Sequence, residues 1–253
     1  MFHVKQPPDG VVRGGGDEEH REDAGAPDGS ARHGGDPLDV AAAGHADAAL
    51  VVYREQLERF RRTLDLMSDR GYADLDTKMA EAERYALAVG RHAAPDGAVL
   101  DLGTGAGLPG VVVAARLAPG RVWWVERRRR RAVFLEQVAA RAGLREVRVA
   151  AVDVRTLDVE RTGRVRAVTA QAVARLDQVA FLTRHLWADD VVLVSRKGPA
   201  WEDEVAALGE AARGWGAEGG SAVVQVVGTE PLGSGGTLVS VRVLGGSACP
   251  PSA

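Results

Sequence analysis

From residue 98 onward, short apolar runs alternate with segments of helical periodicity, and this alternation limits the possible folds more than any other feature. The pattern predicts strands at 98–102, 121–126, 147–152, 166–170, 191–195, 222–227 and 237–243, and helices at 109–117, 129–142, 176–186 and 202–213. Strands that alternate with helices favour a parallel sheet covered on both faces. Since the last two strands follow each other directly, we expect one of them to run antiparallel.

The chain before residue 95 divides into two parts. Residues 1–45 are rich in Gly, Asp, Pro and His and poor in branched apolar residues, which predicts a disordered acidic tail. Residues 46–94 are predicted to be helical, because Leu50, Tyr53 and Leu57 begin a series of apolar residues at steps of three and four. We expect residues 95–246 to form one α/β domain with a mostly parallel seven-stranded sheet, followed by a tail at 247–253.

Charge and cysteine content narrow the class of protein. The net charge of the 253-residue chain is −3, but the first 48 residues carry 10 acids and 4 basic residues, so the remainder is mildly basic. The single cysteine, Cys249, rules out a disulfide within the chain and fits a reducing cytoplasm. We see no apolar run of membrane-spanning length, no signal peptide and no metal motif, and four of the six histidines are spaced irregularly in the tail. We therefore expect a cytoplasmic protein that binds neither membrane nor metal.

The segment VLDLGTGAGLPG, which ends at Gly110, follows the first predicted strand. Gly105, Gly107 and Gly110 fit the G-x-G-x-x-G spacing of dinucleotide sites, although that match alone is weak. Asp101 precedes the glycines, and an anion there disfavours a pyrophosphate and favours a ligand with cationic groups. S-adenosylmethionine carries an ammonium and a sulfonium and no phosphate. We therefore predict that Gly103, Gly105 and Gly107 admit this cofactor against bare backbone while Asp101 faces its positive end.

Further cofactor contacts are predicted from the ends of the next strands. Glu126 ends the second strand, where an acid can hold two ribose hydroxyls, although such an acid serves dinucleotides equally well. Asp153 and Val154 follow the third strand and are predicted to border the adenine. Thr104 and Leu108 complete the predicted cofactor loop.

Five consecutive arginines, Arg127–Arg131, open the helix after the second strand. Positive charge at a helix N-terminus opposes the helix dipole, so such a run favours a nearby anion. Arginine suits phosphate because its donors form a fork. We predict that Arg130 and Arg131 contact RNA phosphate together with Arg175, which follows the fourth strand. The alternative is a solvated helix start.

At this point the sequence resembles a known family. The segments VLDLGTGAGLPG, VERRRRRAVFLEQVAARAGL, AVTAQAVARLD and SRKGP occur in the order seen in the RsmG (GidB) family, and the resemblance covers roughly residues 60–243. These are bacterial 16S rRNA guanine-N7 methyltransferases with a class I Rossmann-like fold. The resemblance implies S-adenosylmethionine as cofactor and 16S rRNA or the small ribosomal subunit as partner, and we expect a monomer.

Several positions depart from the family pattern. Gln171 stands where the family usually has arginine, Lys78 and Met79 replace a pair similar to Arg-His, and 152–155 replaces Gly-Arg-Ala-Glu. We predict that Gln171 and Lys197 border the methyl acceptor as the catalytic positions. For Lys197 the alternative is a salt bridge that closes the end of its strand.

Guanine N7 has an in-plane lone pair and no proton, so its methylation needs alignment and exclusion of water rather than a general base. Three other functions remain open on the sequence. A methyltransferase for a small molecule or protein would need no basic rim. An NAD-dependent oxidoreductase is disfavoured by Asp101, and a cofactor-binding protein without activity would bind the cofactor but transfer no methyl group.

Overall fold

A computed structural model describes residues 37–117, 121–215 and 221–246 of the chain, with side chains from residue 44 onward. The helices are α1 (Pro37–Phe60), α2 (Asp69–Ala73), α3 (Leu75–His92), α4 (Gly110–Arg116), α5 (Arg129–Arg141), α6 (Val159–Thr162), α7 (Leu176–Thr183) and α8 (Trp201–Ala211). The strands are β1 (Ala98–Leu102), β2 (Val122–Val125), β3 (Val147–Ala150), β4 (Val165–Gln171), β5 (Trp187–Lys197), β6 (Val223–Pro231) and β7 (Thr237–Leu244). Short 3₁₀ turns lie at Val154–Thr156, Arg184–Leu186 and Ala212–Gly214.

The seven strands form one sheet in the order β3-β2-β1-β4-β5-β7-β6. Strands β1 to β5 run parallel, and β7 runs antiparallel between β5 and β6. The predicted α/β fold, with its mostly parallel seven-stranded sheet, is therefore confirmed. Because neighbouring parallel strands end at the same edge, the loops after β1 to β5 meet there.

Helices cover both faces of the sheet, as the sequence predicted. Successive side chains of a strand point to opposite faces, and the two tryptophans of β2 illustrate this. Trp123 packs with the core beneath α7 and α8, whereas Trp124 packs with the core beneath α1, α4 and α5. α3 covers β4, β5 and β7 on the same side as α4. All four residues of β2 are buried, which explains the continuous apolar run in its sequence.

Several boundaries differ from those predicted. α1 begins at Pro37, upstream of the predicted onset at residue 46. The predicted break near Ser68 is present, but the Ser68 side chain caps the short helix α2 by accepting from the N–H of Gly71. β5 extends well beyond 191–195 because it pairs along its length with β7. The other tail residues predicted, 1–36 and 247–253, lie outside the described part of the chain. No described helix is long and apolar enough to cross a membrane.

Candidate functional site

A cavity of about 660 Å³ opens at the carboxyl ends of β1 to β4. Each of these strands, or the loop that follows it, contributes to the wall. The lining residues are Leu102, Gly103, Val125, Glu126, Arg127, Arg128, Arg131, Val152, Asp153, Val154, Arg155, Ala172, Val173 and Leu182. The predicted site residues Gly103, Glu126, Asp153, Val154 and Arg131 are thus brought together here.

The backbone of the glycine loop can be adopted easily only by glycine. Gly103 and Gly105 have φ values of +70° and +60°, in the left-handed region. A Cβ on Gly103 would lie only 2.8 Å from Cγ2 of Val173, which is another residue of the cavity wall. Gly105 donates its N–H to Oε2 of Glu126 at 3.1 Å, which joins the loop to the end of β2.

Glu126 lies directly after β2 and is buried on the cavity wall. Its Oε1 accepts the N–H of Arg128 at 2.7 Å, and its Oε2 accepts the N–H of Gly105. An ionised carboxylate offers about four lone-pair positions. Glu126 can therefore hold the loop and keep lone pairs for further hydrogen bonds.

The other predicted loop residues support the cavity from within the protein rather than lining it. Thr104 is buried and donates from Oγ1 to the Asp101 carbonyl at 3.0 Å. Gly107 has φ +116°, and a Cβ there would meet the Tyr53 ring at 2.8 Å. The Tyr53 hydroxyl in turn donates to the Ala106 carbonyl at 3.0 Å. Leu108 packs into the core beneath α1 and α4.

The position predicted for Asp101 requires correction. Its side chain is only 1% exposed and is absent from the cavity wall, because it lies beneath the loop that it precedes. Oδ1 accepts the Thr169 hydroxyl at 2.6 Å, and Oδ2 lies against Gly110 at the start of α4. Burial raises the pKa of the Asp101 carboxyl to about 7, and the hydroxyl of Thr169 opposes this only in part. Asp101 therefore ties β1 to β4 and α4.

After β3, Asp153 and Val154 lie on the cavity wall. Asp153 caps the 3₁₀ turn by accepting the N–H of Arg155 at 3.0 Å. Its two oxygens also accept from Nε and Nη2 of Arg155, at 2.9 and 2.6 Å. This fork holds the pKa of the Asp153 carboxyl well below its usual range. Val154 is buried and gives the wall an apolar surface suited to an adenine.

Gln171 is half-buried at the end of β4 and does not line the cavity. The next residue, Ala172, has φ +54°, which turns the chain sharply. That turn brings Val173 over Gly103. Ala172 and Val173, rather than Gln171, thus form this side of the cavity wall.

The catalytic role predicted for Lys197 is not supported by its surroundings. The side chain is buried and lies off the cavity wall. Its Nζ donates to the Ala174 carbonyl at 2.7 Å and pairs with Oε2 of Glu204 at 2.9 Å. The same Glu204 oxygen accepts the N–H of Leu176. Lys197 thus closes the end of β5 by a salt bridge, which was the alternative interpretation, and positions the loop between β4 and α7.

The arginine run divides between two surfaces. Arg127, Arg128 and Arg131 line the cavity, and Nη2 of Arg131 also donates to the Asp65 carbonyl at 2.6 Å. A neighbouring groove of about 370 Å³ lies between this run and the loop after α1; we call it the arginine groove. It is lined by Leu64, Asp65, Arg128, Arg129, Arg130 and Arg131. Arg175 lies apart from both, exposed before α7 and paired with Asp177 at 3.2 Å.

The sequence interpretation did not identify Val173, Leu182 or Arg155 as parts of the site. The spacing of Arg155 two residues after Asp153 is a signal that could have been used, because such neighbours can share a turn. Val173 and Leu182 carry no comparable signal. Among the residues that the structure describes, no group of three His, Cys, Asp or Glu side chains is placed to hold a metal ion.

The geometry fits S-adenosylmethionine on two observations. Gly103 leaves a space that a Cβ would fill, and Glu126 presents its carboxylate at the end of β2. The wall between them is partly apolar, with Val125, Val154 and Leu182. A ligand with a diol and a flat base can therefore be held between Glu126 and this apolar part of the wall.

Comparison with known proteins gives three findings. The GidB family, described as rRNA small subunit methyltransferase G, matches residues 47–224. A protein of that name from Halorhodospira halophila is 35% identical over 155 residues, which cover 61% of this chain and 71% of the relative. Another protein of that name, from Nocardioides sp., is 40% identical over 118 residues. This match covers 47% of this chain and about half, 46%, of the relative.

Among solved structures, that of P. horikoshii TYW2 in complex with MeSAdo has a TM-score of 0.52 at 13% identity, covering 66% of this chain and 63% of that one. At this identity the likeness shows the fold alone. The family match, by contrast, covers more than half of the chain and includes the glycine loop, Glu126 and the arginine run. The chain therefore belongs to the rRNA small subunit methyltransferase G (GidB) family.

Proposed function

We propose that this protein transfers a methyl group from S-adenosylmethionine to N7 of a guanine in 16S rRNA. The observation that carries the proposal is the cavity at the carboxyl ends of β1 to β4, where the glycine loop is joined to Glu126. Family membership points to the same activity. When bound, S-adenosylmethionine supplies a methyl group on a positively charged sulfur.

The residues that would hold the cofactor follow from the wall. Glu126 would accept the two ribose hydroxyls, and Val154 and Leu182 would enclose the adenine. Gly103 would allow close approach to the backbone at the end of β1. Asp153, fixed by Arg155, would border the adenine at the rim of the cavity.

The acceptor nitrogen needs no proton removed, so the protein's part in the reaction is alignment and exclusion of water. The turn at Ala172 places Val173 over Gly103, where its side chain forms part of the cavity wall. We propose that Gln171, at the end of β4, borders the guanine. Lys197 acts indirectly, because it fixes the loop that carries these residues.

We propose that the arginine groove takes the phosphate backbone beside the target guanine. Arg129 and Arg130 are exposed, and no acid among the described residues forms an ion pair with either. Arg128 lines both the arginine groove and the cavity, so an RNA strand bound in the groove would lead toward the cofactor. Arg175, which lines neither the cavity nor the arginine groove, would add a further phosphate contact. We further propose a monomer that acts in the cytoplasm.

A second candidate is a diverged methyltransferase that acts on a small molecule or protein. The observation that favours it is the Asp153–Arg155 pair on the cavity wall, at a segment where the sequence departs from the family pattern. A polyanionic acceptor does not require a carboxylate there. The two candidates share the same cofactor and differ only in the acceptor.

One experiment separates them. Methyl transfer from labelled S-adenosylmethionine is measured with naked 16S rRNA and with small ribosomal subunits, and the labelled nucleoside is identified by mass spectrometry. We expect 7-methylguanosine. Absence of transfer to either RNA, with cofactor binding intact by calorimetry, would favour the second candidate.

A further inference from the structure

A second basic cavity lies at the opposite edge of the sheet, where β1, β2 and β4 begin. It has a volume of about 480 Å³, and we call it the strand-start cleft. It is lined by Asp96, Gly97, Ala98, Arg121, Thr162, Gly163, Arg164 and Arg166. Since a strand rises about 3.3 Å per residue, the five residues of β1 separate this cleft from the cofactor cavity by roughly 16 Å.

The sheet itself brings the arginines of the strand-start cleft together. The N–H of Val99 bonds to the carbonyl of Arg121, and the N–H of Ala98 bonds to the carbonyl of Arg164. These contacts place the starts of β2 and β4 on either side of β1. Gly97 and Ala98, at the start of β1, have no long side chains. The arginines at the starts of β2 and β4 therefore lie on either side of exposed backbone, which forms the floor of the cleft.

Two glycines keep that floor open. A Cβ on Gly97 would lie 2.1 Å from Cγ of Arg166, so the stem of this arginine crosses the glycine directly. A Cβ on Gly163, where φ is +74°, would lie 3.5 Å from Nη1 of Arg121. The guanidinium of Arg121 therefore lies over bare backbone at the side of the cleft.

Arg121 gives the strand-start cleft a positive charge that no acid of its lining neutralises. Three guanidinium groups line it, and the single carboxylate of the lining, Asp96, pairs with Nη2 of Arg166 at 3.2 Å. Arg121 is exposed and forms no ion pair with an acid in the described ranges. A forked donor with free N–H groups beside backbone is suited to a phosphate oxygen.

We propose that the strand-start cleft binds a phosphate group of the RNA backbone, as a contact separate from the arginine groove. This inference rests on the proposed function, which identifies RNA as the source of the phosphate. A large RNA can contact both edges of the sheet in a protein of this size. Its location excludes a part in methyl transfer itself. The cleft therefore contributes to RNA affinity and not to the rate of methyl transfer within the RNA-bound complex.

The test uses Arg121→Glu in the full chain, with Arg213→Glu as the matched control. Both side chains are exposed, and neither takes part in a described side-chain hydrogen bond or ion pair, so neither change removes such a contact. We expect Arg121→Glu to weaken binding to 16S rRNA by about tenfold and to lower the slope of log K against log salt by about 1. Transfer at saturating RNA stays at the wild-type rate, and Arg213→Glu behaves as wild type. Unchanged affinity in Arg121→Glu overturns the proposal.

A second measurement separates this proposal from the proposed function. Inorganic phosphate is added to the RNA-free protein at constant ionic strength, with chloride as reference, and the Tm is recorded. We expect phosphate to raise the Tm of wild type and not that of Arg121→Glu. If the wild-type protein binds no RNA, the proposed function fails, and the effect of phosphate on the Tm then tests the cleft by itself. A rise of the Tm in wild type alone supports a site for free phosphate in the strand-start cleft. No rise overturns the proposal that the cleft binds phosphate.

Discussion

Asp101 lies in the most recognisable motif of the sequence, and the structure gives it a different neighbourhood from the one that the motif suggested. Its carboxylate is enclosed by Thr169, Thr104 and the start of α4. A buried carboxyl favours its protonated form, so the folded protein binds a proton that the unfolded chain releases. The residue therefore makes stability depend on pH.

We predict that Asp101→Asn removes part of this dependence. Because the folded pKa of about 7 exceeds the ordinary value of 3.8, the wild-type free energy of unfolding falls as pH rises from about 4 to about 7. The difference amounts to at most about 4 kcal/mol over that range. Urea unfolding at pH 5 and pH 8 should show the variant gaining stability relative to wild type at pH 8. Asp74→Asn, which changes an exposed aspartate before α3, is the control. If the unfolding free energy of Asp101→Asn changed with pH in the same way as that of wild type, the prediction would be contradicted.

Gly103→Ala tests the glycine loop. The left-handed backbone costs alanine about 1 kcal/mol, and the new Cβ meets Val173 at 2.8 Å. Either the loop or Val173 must then shift, which changes the cavity wall that the cofactor approaches. We expect affinity for S-adenosylmethionine to fall by about tenfold in calorimetry, which corresponds to about 1.4 kcal/mol. Gly233→Ala, whose Cβ would have open space, should bind as wild type. Equal affinities for the two variants would mean that the cofactor does not approach Gly103.

For single residues, the sequence predicted which residues lie near the cavity better than it predicted the partners that their side chains contact. Gly103 and Glu126 could be found because strand ends and glycine spacing are local features. The partners of Lys197 and Arg131 could not, because Ala174 and Asp65 are brought to them by the packing of distant segments. A cation at a strand end therefore fits catalysis and structural support equally well until its neighbours are known.

At the level of elements, the strand centres were predicted and several ends were not. The apolar core of a strand is fixed by burial, whereas its length depends on its partners. β5 extends beyond its apolar run because β7 pairs with it as far as Lys197. α1 begins before its apolar stripe, in a segment whose composition indicated a tail.

The N-terminal helices support the glycine loop directly, through the hydroxyl of Tyr53 in α1. Tyr53→Phe removes one hydrogen bond to the Ala106 carbonyl, and we expect a loss of about 1 kcal/mol in unfolding free energy. Cofactor affinity should fall severalfold, because the loop loses its anchor. Tyr72→Phe, whose hydroxyl contacts Glu58 at the surface, should change neither quantity. If the two variants behave alike, α1 does not control the loop.

The contact between β5 and α8 gives a test of Lys197. Lys197→Met leaves the Glu204 carboxylate without its cation, and we expect a loss of about 3 kcal/mol in unfolding free energy. The double variant with Glu204→Gln should recover part of that stability, and methyl transfer should recover with it. Recovery of stability without recovery of activity would instead support a catalytic ammonium.

For the whole molecule, a net charge of −3 conceals two basic surfaces on opposite edges of the sheet. Arg129→Ala with Arg130→Ala should lower the slope of log RNA affinity against log salt by about 1 to 2, because fewer counterions are released. Cofactor affinity should not change, since neither side chain lines the cavity. The matched double variant, Arg141→Ala with Arg213→Ala, removes two exposed arginines elsewhere. Equal slopes in both double variants would show that the arginine groove carries no RNA.

The position of β7 affects how this protein is made. β7 lies between β5 and β6 in the sheet, yet the ribosome synthesises Thr237 about 40 residues after Lys197. Until then the nascent chain exposes the free edge of β5, and β6 has no strand to pair with. A chain released early, before β7 emerges, would therefore carry an unpaired edge that invites aggregation, so synthesis through Leu244 is a condition for a closed sheet.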